Sequence, residues 1–292
     1  MKKSDFYPIL FVLASAIATV SIDDLVAGIP AKLVLFIVTS IAITYFHLIN
    51  AKNILKIYHS AMKNPFLLIA VNVLLAATWM ATYLGIYYLG ASVYNIFYFS
   101  ISAALASSIA TREVKRKHLI TLLMCLILVL AWYLMNLPST GVIFSVIGGV
   151  SGFLYRHYSY KLSSNNNLSS SQILAIRFWL LWLILVYLAP LGQISKYISL
   201  YYIFLIFIVA FISFILQNWL NQQGIIKAGV KRSTTILALT PLATIACQYI
   251  FLRQYSLKWI LLSIVCLLII FSKNIKFSQL TAKMKLLVKL KI

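Results

Sequence analysis

The residues able to do chemistry in this chain are few, and most are set in apolar surroundings that make them costly. Only four acids occur, Asp5, Asp23, Asp24 and Glu113. Asp5 and Glu113 belong to connectors, where water or the neighbouring Lys3 and Arg112 balance them. Asp23 and Asp24 lie about 25 Å along the first apolar run by helical rise. An ionisable group at such depth is expensive and marks a pathway or a proton relay. Neighbours on a helix point about 100° apart, so at most one of the two faces a central cavity. The pair reads either as a proton-coupling or cation-binding group at an outer gate, or as an interfacial acid pair near Lys32 that ends the helix in water.

A second cluster is Gln217-Asn218-Trp219-Leu220-Asn221-Gln222-Gln223-Gly224. Gln217 and Asn221 are four apart and share a helix face. Amides in hydrocarbon need partners, so the cluster either lines a wet cavity or ties helix to helix. For Gln222 and Gln223 a cytoplasmic helix end is a further reading. Tyr94, Asn95 and Tyr98 open one apolar run, and Ser233, Thr234 and Thr235 open another. Helix N-termini present unpaired N–H groups that suit an anionic group such as a carboxylate. Trp79, Tyr83, Tyr94 and Tyr98 could pack on an apolar or aromatic solute, but Trp and Tyr also form ordinary interfacial belts. The belt is the preferred reading for Tyr197, Tyr201 and Tyr202.

Arg156-His157 and Arg177 also sit inside apolar runs, near their expected cytoplasmic ends. Snorkelling to inner-leaflet headgroups explains both arginines. The alternative turns Arg156 or Arg177 into an inner vestibule, where it attracts anionic solute. Asn72 and Asn136 are isolated and receive no role. Cys125, Cys247 and Cys266 lack any CxxC or Cys/His spacing and read as inert buried thiols. The sequence holds no phosphate-binding glycine loop, HExxH, GxSxG or paired-carboxylate arrangement. The expectation is a protein that is not an enzyme and has no metal and no cofactor.

The elements that hold these residues follow from composition. Of 292 residues, 63% are hydrophobic and 10% charged, with a mean hydropathy of +0.97. Soluble domains carry about a quarter charged residues, so a soluble enzyme, a disordered tail protein and a disulfide-rich module are excluded. Apolar stretches of bilayer-spanning length recur, giving ten expected spans near 6–27, 31–50, 65–84, 91–110, 118–135, 140–160, 172–191, 199–222, 232–252 and 257–273. The net charge of +21 lies mostly in connectors. With the N-terminus inside, cations crowd the cytoplasmic side and the outer side receives only Lys32, Lys196, Arg253 and Lys258, so both termini are expected in the cytoplasm. The same charge predicts contact with anionic inner-leaflet lipid rather than nucleic acid. The stretch from Lys161 to Ser171 reads as a plain mobile linker. The basic tail 274–292 reads as a surface helix on lipid, with Phe277, Leu280, Met284 and Leu287 at helical spacing, or as a frayed end.

A shift of 139 positions lays Gly85-Ile86 and Gly90 on Gly224-Ile225 and Gly229, and one five-span set on the other. Gln217, Asn218 and Asn221 then fall on Thr78, Trp79 and Thr82. Five spans are an odd number, so two copies enter the membrane in opposite senses. The expected domains are 1–136 and 137–273, two inverted five-helix repeats around a central site, which is the geometry of alternating access.

Residues 5–275 resemble the drug/metabolite transporter superfamily in its EamA-like ten-helix branch. The stretches that carry the resemblance are "GIYYLGASVYNIFYFSISAALASSIATREVKRKHLITLLMCLILVLAWYL" and "GIIKAGVKRSTTILALTPLATIACQYIFLRQYSLKWILLSIVCLLIIF". In that family a short Gly/Ala turn leads into a proline-containing helix, a charged turn and an apolar helix. Pro241 keeps the proline where Ser102 replaces it in the first half, and Arg112-Glu113 supplies the charged turn where Leu252-Arg253 lacks the acid. The resemblance implies a bacterial inner-membrane carrier that exports amino acids or similar metabolites, driven by protons or by exchange, as monomer or homodimer. A flippase of amphiphilic or lipid-linked molecules is the alternative.

Overall fold

The computed structural model describes residues 3–110, 114–197, 199–254 and 256–272. The turn at Arg112-Glu113 and the tail 274–292 lie outside the described residues. Helix follows helix, with no strand among the described residues: α1 (Phe6–Gly28), α2 (Ala31–Ile49), α3 (Ile54–Met62), α4 (Pro65–Leu89), α5 (Ala91–Ala110), α6 (Val114–Leu134), α7 (Ser139–Asn166), α8 (Ser170–Ile176), α9 (Trp179–Leu188), α10 (Leu200–Val209), α11 (Gln217–Ala228), α12 (Val230–Leu237), α13 (Thr240–Leu252) and α14 (Leu257–Phe271). Six helical segments are long and apolar enough to cross a membrane: α1, α2, α4, Ser170–Leu188, Leu200–Ala228 and Val230–Leu252. They fit a multi-pass membrane protein.

The chain's punctuation explains where rods begin and bend. Pro30 precedes α2 and Pro65 opens α4, positions where the missing N–H costs no helical bond. Pro241 near the start of α13 coincides with a break after α12, for the same reason. Between α10 and α11 the backbone widens into a π-helical stretch, Ala210–Leu216. Two bends fall on glycine. Gly90 (φ 74°, ψ 163°) separates α4 from α5 and Gly229 (φ 78°, ψ 156°) separates α11 from α12, in a region of backbone space reserved almost wholly for glycine. Their bonding matches residue for residue. Gly90 N–H donates to Ile86 and its carbonyl accepts from Tyr94, whereas Gly229 N–H donates to Ile225 and its carbonyl accepts from Ser233.

Two helices each pack against several others. α1 packs against α11 with its π-helical lead-in and against α12 and α13, whereas α7 packs against α4 and α5. The contact face of α7 is built of small residues, Gly141, Ser145, Gly148 and Gly152, which lets α4 and α5 approach closely.

The stretch expected to be a mobile linker is ordered. α7 continues to Asn166, Asn167 turns left-handed (φ 50°), and Ser169 with Gln172 forms a reciprocal cap on α8. The Ser163 hydroxyl donates to the Leu168 carbonyl at 2.7 Å, and Asn64 donates to the Asn166 side chain at 2.9 Å. The serines and asparagines that read as low complexity are spent on capping and turn bonds.

Candidate functional site

Polar side chains from five helices meet around a cavity of about 50 Å³ in the centre of the bundle. α1 contributes Phe11, Ser15, Thr19 and Ile22; α4 contributes Leu75, Thr78, Trp79 and Thr82; α5 contributes Tyr94, Asn95, Tyr98 and Phe99. α7 adds Tyr155 and Arg156, and α11 adds Gln217, Asn218 and Asn221. The sequence-expected residues Thr78, Trp79, Thr82, Tyr94, Asn95, Tyr98, Gln217, Asn218 and Asn221 are thus brought to one place. Tyr83 and Thr234 do not line it. Tyr83 is buried behind Trp79 and Phe214, with ring centroids at 6.3 and 6.4 Å, and Thr234 is buried on α12.

Hydrogen bonds cross-link the walls. Asn95 donates to Thr19 (2.9 Å) and Thr244 (2.7 Å), joining α5 to α1 and α13. Gln217 donates to Ser15 at 3.0 Å. Thr82 pairs with the Tyr94 hydroxyl at 2.7 Å, and Thr78 with Ser151 of α7 at 3.0 Å. The amides therefore do both of the jobs between which the sequence left a choice: they tie helices together and they line the cavity. Their carbonyl groups keep spare capacity, since the buried Gln217 Oε1 and Asn221 Oδ1 have no protein partner.

The snorkelling expected of Arg156 and Arg177 is not found. Arg156 is 2% exposed and Arg177 0%. Arg177 sits where α8 breaks before α9, and it donates to Asn218 and to Gln222 (3.3 Å) while stacking near Tyr155 (5.0 Å) and Phe178 (5.1 Å). The same break frees backbone groups, and Asn72 answers them by donating to the Ile176 carbonyl at 3.2 Å and accepting from Leu180 N–H at 3.5 Å. Gln222 is not at a wet helix end either: it is fully buried and accepts from Ser159 at 2.8 Å. Spacing along one span cannot tell which neighbour a long side chain will meet, and here the partners come from three other helices.

The two ends of α1 carry the acids. Asp5, expected to be solvated or paired with Lys3, forms an ion pair with Arg232 of α12, whose Nη2 donates to Oδ2 at 2.6 Å. Close by, Lys227 lies 4.7 Å from the Tyr7 ring centroid. At the other end Asp23 accepts from the first N–H of α5, Ala91, at 3.0 Å and from Gln248 at 3.4 Å, while Ser92 donates to Gln248. These groups edge a polar recess of about 250 Å³ together with Gln254, Ser256 and Trp259. Asp24 is exposed and accepts from Tyr201 at 3.3 Å. Of the adjacent pair, Asp23 is the less exposed and bonds to two helices, α5 and α13, whereas Asp24 meets only Tyr201 among the contacts described.

Sequence reasoning missed the α1 wall. Phe11, Ser15, Thr19 and Ile22 follow one another at spacings of four, four and three, one helical stripe, and the two hydroxyls in it were the available signal. Among the described residues no group of three His, Cys, Asp or Glu is close enough to hold a metal. The chain matches no known family model and none of the curated proteins.

Proposed function

We propose that this chain is a secondary transporter of small metabolites, amino acids or similar organic solutes. It would work in the export direction by alternating access, coupled to protons or to exchange. The observation that carries this reading is the central cavity: hydroxyls, amides, tyrosines and a guanidinium converge where an otherwise apolar bundle has no packing need for them. Burying polar groups in a membrane protein is costly and associated with solute or ion pathways.

The architecture behind the proposal is ten spans in two inverted five-helix repeats, in the manner of the drug/metabolite transporters, with both termini in the cytoplasm of a bacterial inner membrane. Two features support it. The glycine bends at Gly90 and Gly229 are 139 residues apart, the shift read from the sequence, and repeat the same backbone bonding. The leading helix of each half packs on the third and fourth rods of the halves in a reciprocal way, α1 on α11–α13 and α7 on α4–α5. In that scheme the Asp5 and Asp23 ends of α1 act as the two gates, with Asp23 the coupling group. Small-molecule sites run to about 300–1,000 Å³, so a cavity of about 50 Å³ must widen to load solute, and parting of the rods at a gate provides that.

Reconstitution into proteoliposomes with an untargeted metabolite screen tests the proposal. Protein-dependent flux of a solute is expected, and Gln217→Ala and Asn221→Ala are expected to reduce it more than they reduce folded protein. Equal loss of both would make the amides helix ties alone. A lipid reporter in the same vesicles that moves while no solute does would favour a flippase.

A further inference from the structure

Arg156 and Arg177 differ in how far the protein satisfies them. Arg177 has two amide oxygens and two rings around it, and only its Nε is buried without a partner. Arg156, which lines the cavity, has one drawn partner, the Tyr98 hydroxyl at 3.1 Å, and its Nε and Nη1 are buried without any. Among the described residues neither guanidinium pairs with a carboxylate: Asp5, Asp23 and Asp24 are engaged with Arg232, Ala91 with Gln248, and Tyr201. A buried charge is tolerated when it is paired and hydrogen-bonded. Two like charges, with Tyr155 lining the cavity in front of Arg177, make the centre of this bundle electropositive.

We infer that the transported solute is a compact organic anion whose carboxylate or phosphate docks on the unpartnered Nε/Nη1 edge of Arg156. This rests on the carrier reading for its transport step, but not for its binding step. The planar guanidinium offers parallel N–H donors that match either oxyanion group in two-pronged fashion. The unpartnered carbonyl oxygens of Gln217 and Asn221 accept, so the remainder of the solute is expected to carry a hydroxyl or amino donor. Trp79, stacked on Phe214 at 4.1 Å, supplies an apolar wall. The anion would complete the charge balance of a site that the protein leaves positive.

The test uses the purified full-length protein and three pairs of probes: lactate and lactamide, and benzoate and benzamide, each matched in size and differing in charge, and glycerol 3-phosphate and glycerol, which differ by the phosphate. Thermal unfolding in detergent is followed as each is titrated. In at least one pair the acid is expected to raise Tm at about tenfold lower concentration than its neutral partner, and the pair that responds separates carboxylate from phosphate. Arg156→Gln is expected to abolish the preference while leaving the ligand-free Tm equal or higher, because it removes a buried charge that lacks a counter-ion. Arg156→Lys keeps part of the preference, having the charge without the fork. Equal response within every pair, or an Arg156→Gln protein that still prefers the acid, overturns the inference. The same probes in proteoliposomes keep the two readings apart. Charge-selective, Arg156-dependent binding without flux sinks the carrier and spares the anion site. Flux of neutral solutes without charge preference does the reverse.

Discussion

The glycine bends at Gly90 and Gly229 share a backbone and differ in everything attached to it. At Gly229 the neighbouring α12 is fastened to α1 by a charge pair, Asp5 with Arg232, in which the arginine is exposed. At Gly90 the fastening is a carboxylate on a helix N-terminus, Asp23 on Ala91 N–H, backed by the neutral Gln248–Ser92 bond and bordered by a polar recess. One latch joins an exposed arginine to a buried carboxylate; the other sets a carboxylate on a helix N-terminus. Latches of different chemistry on one backbone design can be tuned separately.

The largest effect should come from the shared part. Gly90→Ala and Gly229→Ala are each expected to cost about 1–3 kcal/mol from backbone strain alone, read as thermal unfolding in detergent. Crowding adds little, since a Cβ at Gly229 meets nothing within 4 Å and one at Gly90 comes no nearer than 3.6 Å to Asp23. A neutral substitution at one bend beside a costly one at the other would break the equivalence. Next comes the Asp23 latch. Asp23→Asn keeps the shape but removes the charge from the helix end, at about 1 kcal/mol, and should speed thiol modification of a cysteine placed at Ser92. Asp5→Asn should leave that rate unchanged; an equal rise would mean that the two ends are rigidly linked. Gln248→Ala removes two interhelical bonds, with Ser92 and Asp23, at about 0.6 kcal/mol each, measured in the same way. Salt gives the smallest and sharpest contrast. Raising it from about 0.1 to about 1 M shortens the screening length from about 10 to about 3 Å. That should modestly speed modification of a cysteine at Ser233, beside the pair whose arginine is exposed, and leave Ser92→Cys unaffected.

The apolar runs could be read from the sequence because bilayer thickness sets their length, and the helices begin and end close to where those runs do. The amide cluster and Tyr94-Asn95-Tyr98 were legible as well, since a polar side chain in such a run needs a reason to be there. Arg156 and Arg177 were not. Snorkelling and burial predict the same residue at the same distance from a span end, and only the partners Tyr98, Asn218, Gln222 and Tyr155, on other rods, decide between them. Ser15 and Thr19 escaped because hydroxyls in helices usually bond back to their own turn, as Thr19 does to Ser15 at 2.8 Å, and so leave little trace in composition. The Asp5–Arg232 pair joins residues 227 positions apart, beyond any local pattern.

The wide turn at Ala210–Leu216 has a mechanical result. A π-helical turn holds one residue more than an α-turn, and Asn218 fills the disturbed ladder by donating to the Ser213 and Phe214 carbonyls at 3.1 and 3.0 Å. Everything beyond it is swung about 100° from where an unbroken helix starting at Leu200 would aim it. Gln217 and Asn221, just beyond it, line the central cavity. Removing a single residue between Ala210 and Leu216 would turn both amides away from the central cavity, so one surplus residue sets the polar character of that wall.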